Sequence, residues 1–155
     1  MELFTSFKGR ISRQSFWIGC LGMGVLATAL GFGLIAILPS GFGLKAVQLV
    51  ILAGVCYVWA AIVVKRLHDR DKPALPFAII FIAPNIMGSV MKVLMIDHTI
   101  IDVAGVDFAM PGPVAMTVTY ISLAIAIWMV IELGLLKGTQ GTNRFGPDPL
   151  DQANV

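Results

Sequence analysis

Charge is what this sequence has least of. Asp, Glu, Lys and Arg make up 13% of its 155 residues, about half the share usual in a soluble domain. That is too little polar surface to cover a water-facing globule of this size. Cysteine is nearly absent too. Cys20 and Cys56 both fall inside apolar runs, away from any oxidising loop, so no disulfide is expected and both read as small core residues. Two histidines are too few for a metal centre, and no Ser or Cys nucleophile clusters with them, so neither a metal, a cofactor nor covalent catalysis is expected. No nucleic-acid partner is expected either.

What is there instead is apolar: 57% of the chain, with a mean hydropathy of +0.88. These residues are blocked into four runs, Phe16–Leu38, Leu44–Val64, Leu75–Ile96 and Pro113–Leu136, each 21 to 24 residues long. Roughly 20 helical residues cross a bilayer core. Only helices or closed barrels satisfy the backbone in lipid, and continuous runs exclude the alternation of barrel strands. The fold class predicted is an all-α membrane protein, a four-transmembrane-helix bundle in one integral domain. The first run has basic residues before it and small residues at Ala27-Thr28-Ala29, as a signal peptide would. It continues to Leu38, however, which suits a retained anchor.

Nine of the eleven Lys and Arg residues lie in segments 1–15, 65–74 and 137–155; the intervening loops hold only Lys45. The positive-inside rule therefore places both termini on the cytoplasmic side. Within the first run, Cys20, Gly24 and Thr28, with Ala27 and Gly31, form a small-residue stripe. Such a stripe suits a neighbouring helix in the same chain, a second copy or another membrane protein. Pro84 predicts a kink in the third run, with Asn85 turned to a neighbouring helix or to the freed carbonyl. Thr117, Tyr120, Ala124, Trp128 and Glu132 share one face of the fourth run, expected to point inward.

Lys92 and Glu132 are the ionisable groups well inside the runs. The third helix runs outward and the fourth inward, so the two belong near opposite membrane faces and cannot pair. Lys92 is expected to snorkel outward. Glu132 is expected to meet Arg10, Arg13, Arg66 or Lys137 at the cytoplasmic side. His98 with Asp97, Asp102 and Asp107 reads as a solvated outer loop.

Three polar stretches exceed what anchoring requires. They are Phe7-Lys8-Gly9-Arg10-Ile11-Ser12-Arg13 followed by Phe16-Trp17; Lys65-Arg66-Leu67-His68-Asp69-Arg70; and Gly141-Thr142-Asn143-Arg144-Phe145-Gly146-Pro147-Asp148-Pro149. Together, and in this order around the runs, they resemble domain-of-unknown-function family 805, the YhaH-like bacterial inner-membrane proteins. The resemblance covers nearly the whole chain and implies a compact four-helix membrane protein, with no activity to carry over. The chain departs from the family habit in having Arg70-Asp71 where a Gly soon follows His-Asp, and in a longer outer loop before the fourth run.

Each stretch has a plain structural account. Ser12 is placed to N-cap the first span, Lys65 and Arg66 complement the dipole at the end of the second, and Asn143 is suited to bonding its local backbone. A sharper account joins them into one cytoplasmic cap of Arg10, Arg13, Arg66, His68, Asp69, Arg70, Asn143, Arg144 and Asp148. In it, Asp69 and Asp148 bind cap arginines and the surplus positive charge holds anionic lipid headgroups. The role expected is a non-enzymatic scaffold or accessory protein. A small transporter or channel subunit using Pro84-Asn85 and the fourth helix's polar face is the alternative, and an enzyme acting on a lipid phosphate comes third.

Overall fold

The computed structural model describes residues 2–39 and 41–151. A short helix α1 (Glu2–Thr5) precedes α2 (Arg13–Ile37), α3 (Phe42–Asp69) and α4 (Ala74–Leu94). A hairpin of β1 (His98–Val103) and β2 (Val106–Pro111) follows. Last comes α5 (Pro113–Met129), which runs on as a π-helical turn over Val130–Leu135. Four helices are long and apolar enough to cross a membrane: Arg13–Ile37, Phe42–Asp69, Ala74–Leu94 and Pro113–Leu135.

Local chemistry sets several of these ends. Ser12 takes extended dihedrals and its Oγ accepts the Ser15 N–H at 3.2 Å, the N-cap that its position predicts. Met95 closes α4 in the left-handed region. Pro113 opens α5, where its missing N–H costs nothing, and the Asp97 carboxylate accepts the Ala115 N–H at 2.8 Å.

Helix α3 lies between α2 and α4, α4 lies against α5, and the π-helical turn comes back to α2 and α3. Phe16, Ile62, Val63, Leu67, Phe81 and Leu133 form the main core, at the Asp69 end of α3. A smaller cluster of Met91, Ala115 and Val118 sits near the hairpin. Elsewhere the spans present apolar side chains outward, Leu21, Val25, Phe32 and Ile37 among them.

Several expectations need correction. Charged residues 65–69 extend the second span as helix rather than leaving it, because Lys, Arg and Leu are good helix formers whatever their hydropathy. Pro84 does not break α4; the one interior residue with non-helical dihedrals is Leu75, just before Pro76, where a following proline disfavours the helical region. Asn85 donates to Phe81 O at 3.0 Å within its own helix. Of the small-residue stripe only Cys20 packs against the core that α2 shares with α3. The contact between the two helices runs through Phe16, Gly19 and Met23, with the Gly19 Cβ position 3.0 Å from Ile62 Cδ1, while Gly24 and Gly31 face open space.

Most of the fourth span's polar face also points the other way, although Trp128 sets its ring against Phe81 of the core at 5.1 Å. Tyr120 is 67% exposed and Trp128 41%, and Thr117 and Ala124 are exposed with them; Ala115 and Val118 turn inward. Glu132, on the same face by α-helical spacing, is nevertheless buried. The π-helical turn explains this. It widens the coil, marked by Leu136 N–H donating to Ile131 O five residues back, and so re-phases everything after Met129.

Finally, the segment read as a solvated loop is a two-stranded antiparallel hairpin. Ala104 and Gly105, at φ 57° and 81°, supply the left-handed pair that a two-residue turn needs, and Asp102 Oδ1 accepts the Gly105 N–H. Ile101, Val103, Val106, Phe108 and Met110 alternate onto one face, opposite Asp102 and Asp107.

Candidate functional site

A helix end leaves its last carbonyls without intrahelical partners. At the end of the π-helical turn the chain leaves helical geometry at Leu136, so the carbonyls from Leu133 onward need donors from elsewhere. They find them on α2 and α3. Arg66 Nε donates to Leu133 O at 2.7 Å and Trp17 Nε1 to Gly134 O at 3.3 Å. Arg13 Nη1 reaches Leu135 O at 3.3 Å, Arg66 Nη2 reaches Leu136 O at 2.7 Å, and Arg70 Nη1 reaches Lys137 O at 2.9 Å. Five consecutive carbonyls are thus held by side chains of α2, of α3 and of Arg70, the residue that caps α3.

Arg10 continues the series along the tail. Its guanidinium donates to Thr139 O, Gly141 O and Gly146 O, at 2.5, 2.6 and 3.2 Å. The tail returns the favour at the end of α3. Thr139 gives both its N–H and its hydroxyl to Asp69 O, at 2.8 and 3.0 Å, Asn143 Nδ2 donates to His68 O at 2.9 Å, and Arg144 Nη2 donates to Asp71 O at 2.6 Å. Two span ends therefore cap one another.

Asp69 is the anion at the centre. Its carboxylate accepts Arg10 Nε and Nη2 at 3.1 and 3.0 Å on one oxygen and Arg66 Nη1 on the other. The side chains of Arg10 and Arg66 are 1% exposed and that of Asp69 5%. Arg66 also reaches Ile11 O, so its planar fork holds three carbonyls on two backbone segments at once. Two glycines make room. A Cβ on Gly138 would run into the Asp69 carboxylate, and one on Gly134 would stand 2.6 Å from Trp17 Cζ2.

The remaining charges pair locally. Glu132 Oε1 meets Lys72 Nζ at 2.7 Å and Arg70 Nη2 at 2.9 Å, not Arg10, Arg13, Arg66 or Lys137; the re-phasing that buries it also turns it toward the turn after α3. Arg144 pairs with Asp71 at 2.9 Å. Asp148 does not bind a cap arginine. Its carboxylate accepts the N–H groups of Leu150 and Gly141, each at 3.0 Å, and these, with the charge of Arg10 nearby, hold it below the ordinary carboxylate range. Asn143 Oδ1 accepts the Phe145 N–H, closing the local turn. His68 is half-buried, with Nδ1 3.3 Å from Gly9 O and its ring stacked on Phe145 at 3.9 Å, while Arg144 covers the other ring contact of Phe145 at 4.8 Å.

All nine cap residues named from the sequence lie in or beside this assembly, whereas Asn85 lies apart, in α4. Sequence reasoning missed Trp17 as a donor, Asp71 and Lys72 as ion-pair partners, Thr139 as a capping residue, and the need for Gly134 and Gly138. The four-residue spacing of those glycines was a usable signal of close approach.

Between α2 and the tail opens a cleft of about 580 Å³ whose lining includes Arg13, Trp17, Gly134, Lys137 and Gln140. Among the described residues no group of three or more His, Cys, Asp or Glu side chains is placed to hold a metal ion.

The family model described as "Protein of unknown function (DUF805)" matches residues 4–147, which takes in the first two stretches and the tail as far as Pro147. The chain belongs to this family. Two relatives, each called "Uncharacterized protein YiiR", come from Escherichia coli strain K12 and Escherichia coli O157:H7. Each is 32% identical over 153 residues, covering 94% of this chain and 87% of the relative. No solved structure matches. For this DUF805 chain, the matched span runs from just before the first arginine donor to just beyond Gly146, the farthest carbonyl that Arg10 holds.

Proposed function

We propose that this DUF805 protein is a non-enzymatic scaffold or accessory protein of a bacterial inner membrane. It is a four-helix bundle with both termini in the cytoplasm and a cytoplasmic cap that contacts anionic lipid headgroups. The distribution of Lys and Arg supports the orientation. One observation carries the functional reading: the cap's buried charges are spent on one another and on main-chain oxygens. Asp69 is shared by two arginines, and Arg10 and Arg66 together hold six carbonyl groups. A general base must reach substrate; His68 instead stacks under Phe145, against Gly9 O. The surplus positive charge lies at the exposed rim, where basic side chains attract an anionic leaflet. The Gly24–Thr28–Gly31 face of α2, left open by the chain itself, is the surface offered to a second membrane helix.

The transport reading keeps one observation in its favour. Asn85 lines two cavities, of about 240 and 320 Å³, and the first also holds Ser89, Lys92 and Ser122 Oγ, which is enclosed without a hydrogen-bond partner among the described residues. Its two original supports are weaker: α4 continues through Pro84, and the polar face of α5 points outward.

Native mass spectrometry of the intact protein, released from membranes in gentle detergent, tests the scaffold reading. Retained phosphatidylglycerol or cardiolipin, in excess over phosphatidylethanolamine relative to the membrane's own composition, is the expected result. Retention in simple proportion to that composition would overturn it.

A further inference from the structure

The arginines at the centre of the cap cannot be the ones that hold a headgroup, because Asp69 and the carbonyls occupy them. We infer that the 580 Å³ cleft between the start of α2 and the tail is a phosphate site, with Arg13 and Lys137 as its cations and Trp17 as its wall. This rests on the proposed lipid contact and assigns it a place.

Three features carry the assignment. The first is charge. Arg13, Arg66 and Lys137 line the cleft against Asp69 and Asp148, and Asp69 is neutralised further by Arg10 from outside the lining. The second is availability. Arg13 and Lys137 are exposed, and Arg13 gives one N–H to Leu135 O at a long 3.3 Å, which leaves most of its fork for a ligand. Gln14 and Gln140, also exposed, add neutral donors.

The third feature is depth. The cleft lies at the ends of two membrane-length helices: Trp17 is in the first turns of α2, and Gly134 is in the π-helical turn. Trp17 is partly exposed while its indole N–H holds Gly134 O, the posture of an aromatic side chain at a membrane interface. Next to these two residues in sequence, Ile18 and Leu135 are exposed and apolar, at 58% and 58%. A phosphate held by Arg13 and Lys137 can therefore keep its acyl chains in lipid. The same phosphate chemistry also admits a free phosphate or a soluble phosphorylated molecule.

The test compares wild type with R13Q/K137Q, and with K45Q, at the other end of α3, as a control for loss of charge away from the cap. Each purified protein is titrated with phosphatidylglycerol in detergent micelles and read by native mass spectrometry, with melting temperature measured in parallel. R13Q/K137Q is expected to bind about thirtyfold more weakly at a melting temperature close to wild type, while K45Q binds as wild type does. The conservative pair R13K/K137R is expected to restore most of the binding, which a merely misfolded cap would not allow.

Equal binding by wild type and R13Q/K137Q would overturn this site while leaving the lipid contact standing. Failure of wild type to prefer phosphatidylglycerol over phosphatidylcholine would overturn the lipid contact itself. Inorganic phosphate added at millimolar concentration separates the sources: displacement of lipid by it points to a soluble phosphate ligand and overturns the lipid assignment, and no displacement supports it.

Discussion

Asp69→Asn isolates the electrostatics of the cap with the least change in shape. Asparagine fills the same volume and keeps one acceptor oxygen, but the charge between Arg10 and Arg66 is lost. Both guanidinium groups are then buried, their side chains 1% exposed, with only neutral oxygens as hydrogen-bond partners. Removing one partner of a buried ion pair costs about 3–5 kcal/mol, since it strands the other charge. The surviving acceptor and the six carbonyl contacts place this variant near the lower figure. For a chain of this length about 3 kcal/mol corresponds to a fall in Tm of about 6–12 °C. Thermal melting in detergent micelles, followed by near-UV circular dichroism, measures it directly. A second variant sharpens the result. D69N/R10Q removes one stranded cation along with the anion, and should recover part of the loss as a coupling energy of about 1–3 kcal/mol. A D69N shift below about 2 °C, the range of an ordinary surface substitution, would refute the claim that this carboxylate compensates two buried cations.

Two further outcomes follow from the same geometry. G138A places a Cβ against the Asp69 carboxylate and should lower stability by about 1–3 kcal/mol, whereas G22A, in open space mid-α2, should be neutral or slightly stabilising; comparable melting shifts for both would show that the close approach is unimportant. The depressed Asp148 carboxyl contributes stability in full above its unfolded value, about 3.9, and loses it as pH falls through the lower folded value. Pepsin cleavage of the tail should therefore rise steeply at the acid end in wild type and change less with pH in D148N, and superimposable profiles would sink the idea.

The four membrane-length helices were legible because each is a long uninterrupted apolar run, a signal that survives without any knowledge of neighbours. Their ends were less so. Residues 65–69 read as a loop by charge, yet Lys65, Arg66 and Leu67 are all helix formers, and the helix continues until Asp69 finds its arginines. The hairpin was missed because the acids of Asp97–Asp107 drew the reading toward a solvated loop, although Ala104-Gly105 between alternating residues carried the turn. Face assignment in the fourth span failed for a different reason. Spacing arguments assume 3.6 residues per turn throughout, and a π-helical turn after Met129 has no clear mark in the sequence. The same shift hid the partners of Glu132. Membership of the cap, by contrast, could be read from three polar stretches whose arginines exceed any need for orientation. What they bind could not, because most of the acceptors are main-chain oxygens, which are present at every residue.

That last point has a consequence for which substitutions the cap can bear. A hydrogen bond from a side chain to a carbonyl constrains its two ends unequally: the donor must be an arginine, a tryptophan or an asparagine of the right reach, while the acceptor exists whatever side chain is attached. Leu133, Leu135, Leu136, Lys137 and Thr139 all supply carbonyls to Arg10, Arg13, Arg66 or Arg70. In a saturating scan of single substitutions, the intolerant positions should gather on the donor helices α2 and α3 and in the Arg10 segment. Along 133–139 intolerance should be set by burial at Leu133, by clearance at Gly134 and Gly138 and by the hydroxyl of Thr139, leaving Leu135, Leu136 and Lys137 broadly permissive for folding. Over Leu135–Lys137 the joint is written in side chains on one strand and in backbone on the other, so there mutation edits chiefly the first.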